Sequence, residues 1–177
     1  TVELHSENVL PYFRIPVSEV RTEDLLLKAL NSRPGLERAV VVSPDKGGMS
    51  RSERFAETVN LPIAYLVKKR ELTTGVVTVT SIEGEVKGRD VIIFDDIINT
   101  GATAMRTSQF LKNHGSKKIY FLATHAVLAG DASEMLAKST IDQVIVTDTI
   151  AIPKKKEFQK LSIVSVAPLL AGIIRNL

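Results

Sequence analysis

Short apolar runs rich in β-branched residues alternate along this chain with helical patterns of about three turns, and that alternation predicts βαβ units built around a parallel sheet. The first helical stretch, TEDLLLKALNS, has Thr22 as the expected N-cap and two acids in its first turn, where the helix dipole favours them. AVVVS (Ala39 to Ser43) then reads as a buried strand, MSRSERFAETV as a helix and IAYLV (Ile63 to Val67) as a second strand. A polar interruption, KKRELTTG, precedes the alternating VVTVTSI and the turn at Glu83 and Gly84, a pattern expected of a partly exposed hairpin or flap. DVIIF (Asp90 to Phe94) is the third central strand, and the helix after it runs to LKNHG, where Gly115 suits the C′ position. IYFLATH, DASEMLAKS, QVIVTD, LSIVSV and PLLAGIIRNL continue the alternation to the end. The expected fold is one α/β domain over residues 1–177: an open, mainly parallel sheet with helices on both faces and a flexible loop or flap.

Composition limits what such a domain does. With 23 basic and 20 acidic residues among 177, the net charge of +3 is too small and too scattered for a polyanion groove, so nucleic acid is not an expected partner. The absence of cysteine removes disulfides, thiolate nucleophiles and cysteine-ligated metals. No stretch has the apolar length of a membrane span or the layout of a signal peptide, so the expectation is a cytoplasmic protein without a membrane partner. The opening Thr1-Val2-Glu3-Leu4-His5 reads as though it begins inside an element, as a piece of a longer protein would.

The chemistry concentrates in VIIFDDIINTGATA, Val91 to Ala104. Ligands of open α/β sheets bind beyond the carboxyl ends of strands, where loops enter helix N-termini. Asp95 and Asp96 are expected to end a strand there, and Asn99-Thr100-Gly101-Ala102-Thr103 to turn into a helix whose free N–H groups hold a phosphate. Gly101 allows close backbone approach, and the hydroxyls of Thr100 and Thr103 add donors. The acids would repel a phosphate; they suit sugar hydroxyls, or Mg²⁺ bridging to them. A sugar phosphate satisfies both halves. Neither a P-loop nor a dinucleotide fingerprint fits, for want of a Lys-Ser/Thr or of further glycines.

The whole fourteen-residue pattern resembles the phosphoribosyl pyrophosphate signature of type I phosphoribosyltransferases. It departs from it at Asn99, where many members carry an acid, so that Asn99 is not assigned as a proton acceptor, and at Ala102, which replaces a glycine. A second stretch, VVVSPDKGGMSR, places Asp45 after another strand and Gly47-Gly48 at another helix start. It resembles ribose-phosphate pyrophosphokinases, with Ser50 where a lysine is common. IAYLVKKR, LATHAVLAG, VTDTIAIP and ELHSENVLPYFRIPV resemble further segments of that family in the same order. The resemblance covers essentially the whole chain but only the C-terminal half of a family member.

That resemblance implies an enzyme, a ribose-phosphate diphosphokinase, which moves the β,γ-diphosphoryl group of ATP to the 1-hydroxyl of ribose 5-phosphate. Lys68 and Arg70 match its catalytic lysine and arginine, on a loop that closes over the site. Asn99 to Thr103 would take the 5-phosphate, or a phosphate or sulfate ion, and Asp95 and Asp96 the ribose hydroxyls. Asp45 would orient Mg²⁺, and His5 matches a histidine that helps hold the Mg-ATP phosphates. A full-length member is expected to be a homo-oligomer, with part of its adenine pocket outside this chain. A phosphoribosyltransferase that consumes the same sugar, or a non-catalytic regulatory subunit of a synthetase, are the alternatives. Lys154-Lys155-Lys156 reads as solvated loop, His114 as a partner of a helix C-terminus, and His125 as a strand-end residue not assigned to the site.

Overall fold

A computed structural model describes residues 1–30, 36–45, 47–70 and 77–175 of the chain. Seven strands form one sheet: β1 (Val40–Ser43), β2 (Ile63–Arg70), β3 (Val77–Glu83), β4 (Val91–Ile98), β5 (Ile119–Ala126), β6 (Gln143–Thr147) and β7 (Leu161–Val164). Their order is β3-β2-β1-β4-β5-β6-β7, antiparallel between β2 and β3 and parallel at every other junction. The helices are α1 (Glu23–Leu30), α2 (Met49–Val59), α3 (Ala102–Asn113), α4 (Ala132–Lys138) and α5 (Ala167–Ile174). Among the described residues no helix is long and apolar enough to cross a membrane.

Both faces of the central strands are apolar because both are covered. On β4, Ile92 and Phe94 pack with Leu26 and Leu30 of α1 and Phe55 and Ala56 of α2, and the rings of Phe55 and Phe94 stack with centroids 4.8 Å apart. Val91 and Ile93 face the other way, into the layer that holds Ala104 and Leu111 of α3 and Ala132 and Leu136 of α4. Successive residues of a strand point to opposite faces, so one run of four apolar residues serves two cores.

This layering decides where a ligand is able to bind. From β1 the chain crosses through α2 to β2 on one side, while from β4 it crosses through α3 to β5 on the other. The neighbours β1 and β4 therefore send their following loops apart, opening the crevice that marks a topological switch point. β1 ends opposite the middle of β4, with Val42 beside Ile93, so Asp95 and Asp96 lie past the end of their neighbour on that side.

Two boundaries differ from the sequence reading. Asp95 and Asp96 do not end their strand: β4 continues to Ile98, because β5 still pairs with it at Asp95, Ile97 and Ile98. Likewise β2 runs on through Lys68 to Arg70, paired with β3 as the expected hairpin. Lys68 and Arg70 thus stand on a strand rather than on a loop, Lys68 just after an irregularity between Val67 and Lys68. The loop expected between them and Gly75 falls, at 71–76, outside the described residues. At the far end of the hairpin Gly84 has φ of +114°, and a Cβ there would come within 2.7 Å of the Ala64 Cβ, so no larger residue fits without displacement.

At the start of α1, Thr22 occupies the expected place, but its hydroxyl bonds the Thr124 hydroxyl at 2.6 Å, tying the helix entry to β5. His114 ends α3 as expected, its Nδ1 2.8 Å from the Phe110 carbonyl oxygen. Gly115 follows in the left-handed region at φ +84°.

Candidate functional site: an acid pair between two helix N-termini

A cleft of about 460 Å³ opens at the switch point. Its walls come from three stretches of the chain, His5 and Ser6, the turn and helix after β1 (Asp45, Gly47, Gly48, Arg51), and the end of β4 with the start of α3, together with Phe121 of β5. From the β4–α3 stretch Asp95, Asp96, Asn99, Thr100, Gly101 and Thr103 all line it, whereas Ala102 does not.

The two helix starts are shaped differently. Gly101 is the N-cap of α3 with φ of +74°, a backbone conformation that suits glycine, and a Cβ on it would come within 3.2 Å of the Leu136 Cγ. Its side-chain-free cap leaves the first amides of a twelve-residue helix without a capping oxygen, beside the Thr100 and Thr103 hydroxyls. At α2 the cap is Gly48, whose amide donates to Asp45 Oδ1 at 2.9 Å, while the Ser43 hydroxyl donates to the Asp45 carbonyl at 3.0 Å. One Asp45 oxygen therefore closes its own turn. The other faces Lys68, with Oδ2 to Nζ 3.7 Å.

Asp96 is the buried acid of the pair, its side chain 2% exposed; Asp95 is 20% exposed. Asp96 Oδ2 accepts from Arg51 Nη2 at 3.0 Å and lies 2.6 Å from His5 Nδ1. Asp95 Oδ1 accepts the Asp96 amide at 2.9 Å and is 3.5 Å from Arg51 Nη1. Burial, the hydrogen bond with Asp96 and the charge of Asp96 push the Asp95 carboxyl up to about 7. Burial acts on Asp96 in the same sense, but the hydrogen bond with Asp95, the Arg51 guanidinium and His5 outweigh it and hold its pKa below the usual carboxylate value. The two carboxyls thus differ: Asp96 is held as the anion beside the Arg51 guanidinium, whereas Asp95 keeps its proton to higher pH.

In the sequence reading Arg51 is only the basic residue that closes the VVVSPDKGGMSR stretch, with no role assigned, yet it is central. Besides the two aspartates it meets Glu3, with Nε to Oε1 3.6 Å. Glu3 is buried and accepts the Thr22 amide at 3.2 Å, its own amide donates to the Val20 carbonyl at 2.9 Å, and its carbonyl receives His125 Nε2 at 3.0 Å. Burial, and then the nearby Glu23, raises its pKa. The remaining ring nitrogen of His125 bonds the Thr149 hydroxyl at 2.9 Å, which makes His125 a brace for the N-terminal segment. One clue to Arg51 was available: it stands in the first turn of a helix with no acid in that turn, where a cation is disfavoured unless it has a partner elsewhere.

Lys68 borders a neighbouring cavity of about 30 Å³ with Val79, Thr103, Arg106 and Thr107; Thr103 is common to both spaces. The backbone of Arg70 pairs with Val77, and its side chain is outside the described residues. The run Lys154–Lys156 forms a 3-10 turn that does not line the cleft, and Lys156 Nζ bonds the Leu128 carbonyl.

Among the described residues no three His, Asp or Glu side chains converge closely enough to enclose a metal ion by themselves. The donors present nevertheless suit Mg²⁺, a hard ion that takes one or two carboxylates and completes its shell with water and phosphate oxygens. Asp45, half exposed at the cleft, and Asp95 offer such oxygens. His5, whose ring is largely exposed, is engaged through Nδ1 with Asp96.

A family model described as the phosphoribosyl synthetase-associated domain matches residues 68–177. The chain is 40% identical over 174 residues to the ribose-phosphate pyrophosphokinase of Caldanaerobacter subterraneus subsp. tengcongensis, covering 98% of this chain and 55% of that protein. It is 38% identical over 178 residues to the ribose-phosphate pyrophosphokinase of Vibrio parahaemolyticus, covering 100% of this chain and 56% of the relative. Among solved structures, the phosphoribosylpyrophosphate synthetase from Mycobacterium smegmatis superposes with a TM-score of 0.89 at 35% identity, over 98% of this chain and 56% of that one. The chain therefore spans little more than half the length of the relatives it matches. With the family model covering more than half of its residues, from Lys68 through the acid-pair strand onward, the chain belongs to the phosphoribosyl synthetase-associated domain family.

Proposed function

We propose that this chain is the sugar-phosphate half of a ribose-phosphate diphosphokinase, which transfers diphosphate from ATP to the 1-hydroxyl of ribose 5-phosphate and releases AMP. The observation that carries the proposal is a single cleft holding two carboxylates between two helix N-termini. The Asn99-to-Thr103 loop with the first amides of α3 is the phosphate seat, and Asp95 and Asp96 accept the ribose hydroxyls. The second helix start, at Gly47 and Gly48, faces the diphosphate. Diphosphoryl transfer asks mainly for positioning and for cations around developing charge. Lys68 supplies one cation from β2, and Arg70, two residues on, is assigned the same task from the sequence.

Bound Mg²⁺ would neutralise phosphate charge, with Asp45 as the first residue to hold it or its water. Asp95 is suited to take up charge when a cation arrives, since its carboxyl sits near neutrality without one. ATP is the expected second substrate and a homo-oligomer the expected state of a full-length protein.

Calorimetry with ribose 5-phosphate tests the reading directly. The parent chain should bind it, and a variant carrying Asp95→Asn with Asp96→Asn should not. Equal affinity in the two would defeat the proposal.

A further inference from the structure

We infer that Arg51 is a positioning residue for the sugar site: its guanidinium orients Asp95 and Asp96 toward the ribose hydroxyls, and Glu3 holds that guanidinium in place. The inference rests on the sugar-phosphate reading and adds to it a residue whose task is neither catalysis nor contact with phosphate.

Three observations converge. First, Arg51 is only 12% exposed and its fork is spread over both acids, Nη1 at 3.5 Å from Asp95 and Nη2 at 3.0 Å from Asp96. A planar fork bonded to two carboxylates fixes their orientation in a way that a point charge does not. Second, Arg51 is placed against the dipole preference of its own helix, in the first turn of α2, where no acid of that turn compensates it. Its compensation is entirely tertiary, from β4 and from the N-terminal segment. Third, Glu3 is buried, has a backbone φ of +40°, and is fixed by the Val20 and His125 contacts, so the group that meets Arg51 from behind is rigid.

This arrangement also explains why an anion-binding loop tolerates two acids beside it. Arg51 engages the buried acid, while Asp95, 20% exposed and in the cleft lining, stays available to hydroxyl groups. Its Nη atoms face Asp95 and Asp96, and its Nε, which has no hydrogen-bond partner among the described residues, lies 3.6 Å from Glu3 Oε1, so the acids around the guanidinium disfavour a phosphate there. Removing it should therefore damage recognition of the sugar far more than recognition of phosphate.

The test compares Arg51→Met and Arg51→Lys with the parent chain, using two probes, ribose 5-phosphate and inorganic phosphate, in calorimetry. Losing charge-assisted hydrogen bonds of this kind should weaken ribose 5-phosphate binding by about 10- to 100-fold in Arg51→Met, with phosphate affinity within about threefold of the parent. Arg51→Lys should fall between, since it keeps the charge but not the fork. If phosphate affinity falls as far as that for the sugar phosphate, Arg51 is itself an anion ligand and the inference is overturned; unchanged affinities for both probes overturn it as well. Should Arg51→Met fail to fold, Arg51→Lys decides by the same two criteria. Crystal structures of the parent and Arg51→Lys without ligand separate this inference from the sugar-phosphate reading. Turned Asp95 and Asp96 carboxylates on an unmoved β4 support positioning even in a chain that binds no sugar phosphate, and unturned carboxylates refute it.

Discussion

The two aspartates should respond differently to the same substitution, because the structure holds them differently. Asp96→Asn removes the anion from a side chain that is 2% exposed and bonded to Arg51 at 3.0 Å. A buried hydrogen bond to a charged group contributes about 1.5–3 kcal/mol, and His5, being mostly exposed, adds little. At about 2–4 °C per kcal/mol for a domain of this size, Tm should fall by roughly 3–12 °C. Asp95→Asn should do the opposite at high pH. Folding raises the Asp95 pKa from 3.8 to about 7, so its ionisation opposes the folded state. That penalty is absent below about pH 4, grows as pH rises through the interval and is complete above about pH 7. Asn carries no such charge. Asp95→Asn should therefore match the parent in stability near pH 4 and exceed it near pH 8, while losing about 10- to 100-fold in ribose 5-phosphate affinity from the missing acceptor. Urea melts of the parent and both variants at pH 4 and pH 8, paired with calorimetry at pH 8, provide the readout. If Asp95→Asn destabilised the chain at pH 8 as much as Asp96→Asn does, the division of roles within the pair would be wrong.

Further outcomes follow from other parts of the molecule. In a full-length synthetase carrying this domain, Lys68→Ala should lower kcat by about a hundredfold or more while KM changes less, as steady-state kinetics would register for a group acting on the transition state. Gly84→Ala combines a φ of +114° with a 2.7 Å approach to Ala64, so it should lose more than about 1 kcal/mol in a urea melt. The cleft has a single aromatic lining residue, Phe121, and it is buried. With no exposed Phe, Tyr or Trp ring for adenine among the described lining residues, this chain alone should form AMP from ATP and ribose 5-phosphate, in the presence of Mg²⁺, at a small fraction of the full-length rate; equal turnover in a coupled assay would overturn the half-site reading.

Most of the fold was legible because it follows from local regularities. The order of strands and helices, the β2–β3 hairpin and the helix starts at Gly48 and Gly101 were all carried by runs of β-branched residues, helical periodicity and glycine at turns. Strand ends were less so. Aspartate is depleted in strands, which placed the end of β4 at Phe94, but pairing with β5 extends it to Ile98, and that pairing is a property of a partner about thirty residues away. The same applies to β2, whose polar end is held by β3 across the hairpin.

The site was half legible, and the missing half has one physical cause. Asp45, Asp95, Asp96 and the Asn99-to-Thr103 loop are picked out by motifs near strand ends and helix starts, and all but Ala102 line the same cleft. Arg51 and Glu3 have meaning only through each other and through the acid pair: 48 positions separate them, and a further 44 separate Arg51 from Asp95. The residues proposed to bind substrate belong to short motifs near strand ends and helix starts, which a sequence exposes. A residue that positions another needs only a buried line of sight to it, and here that line runs from the N-terminal segment through the first turn of α2 to the end of β4. The signals left in the sequence are indirect: a cation in the first turn of a helix, and two adjacent acids that could not both remain charged in a buried place without one. Taken together, those two signals imply the bridge, since each supplies the charge the other lacks.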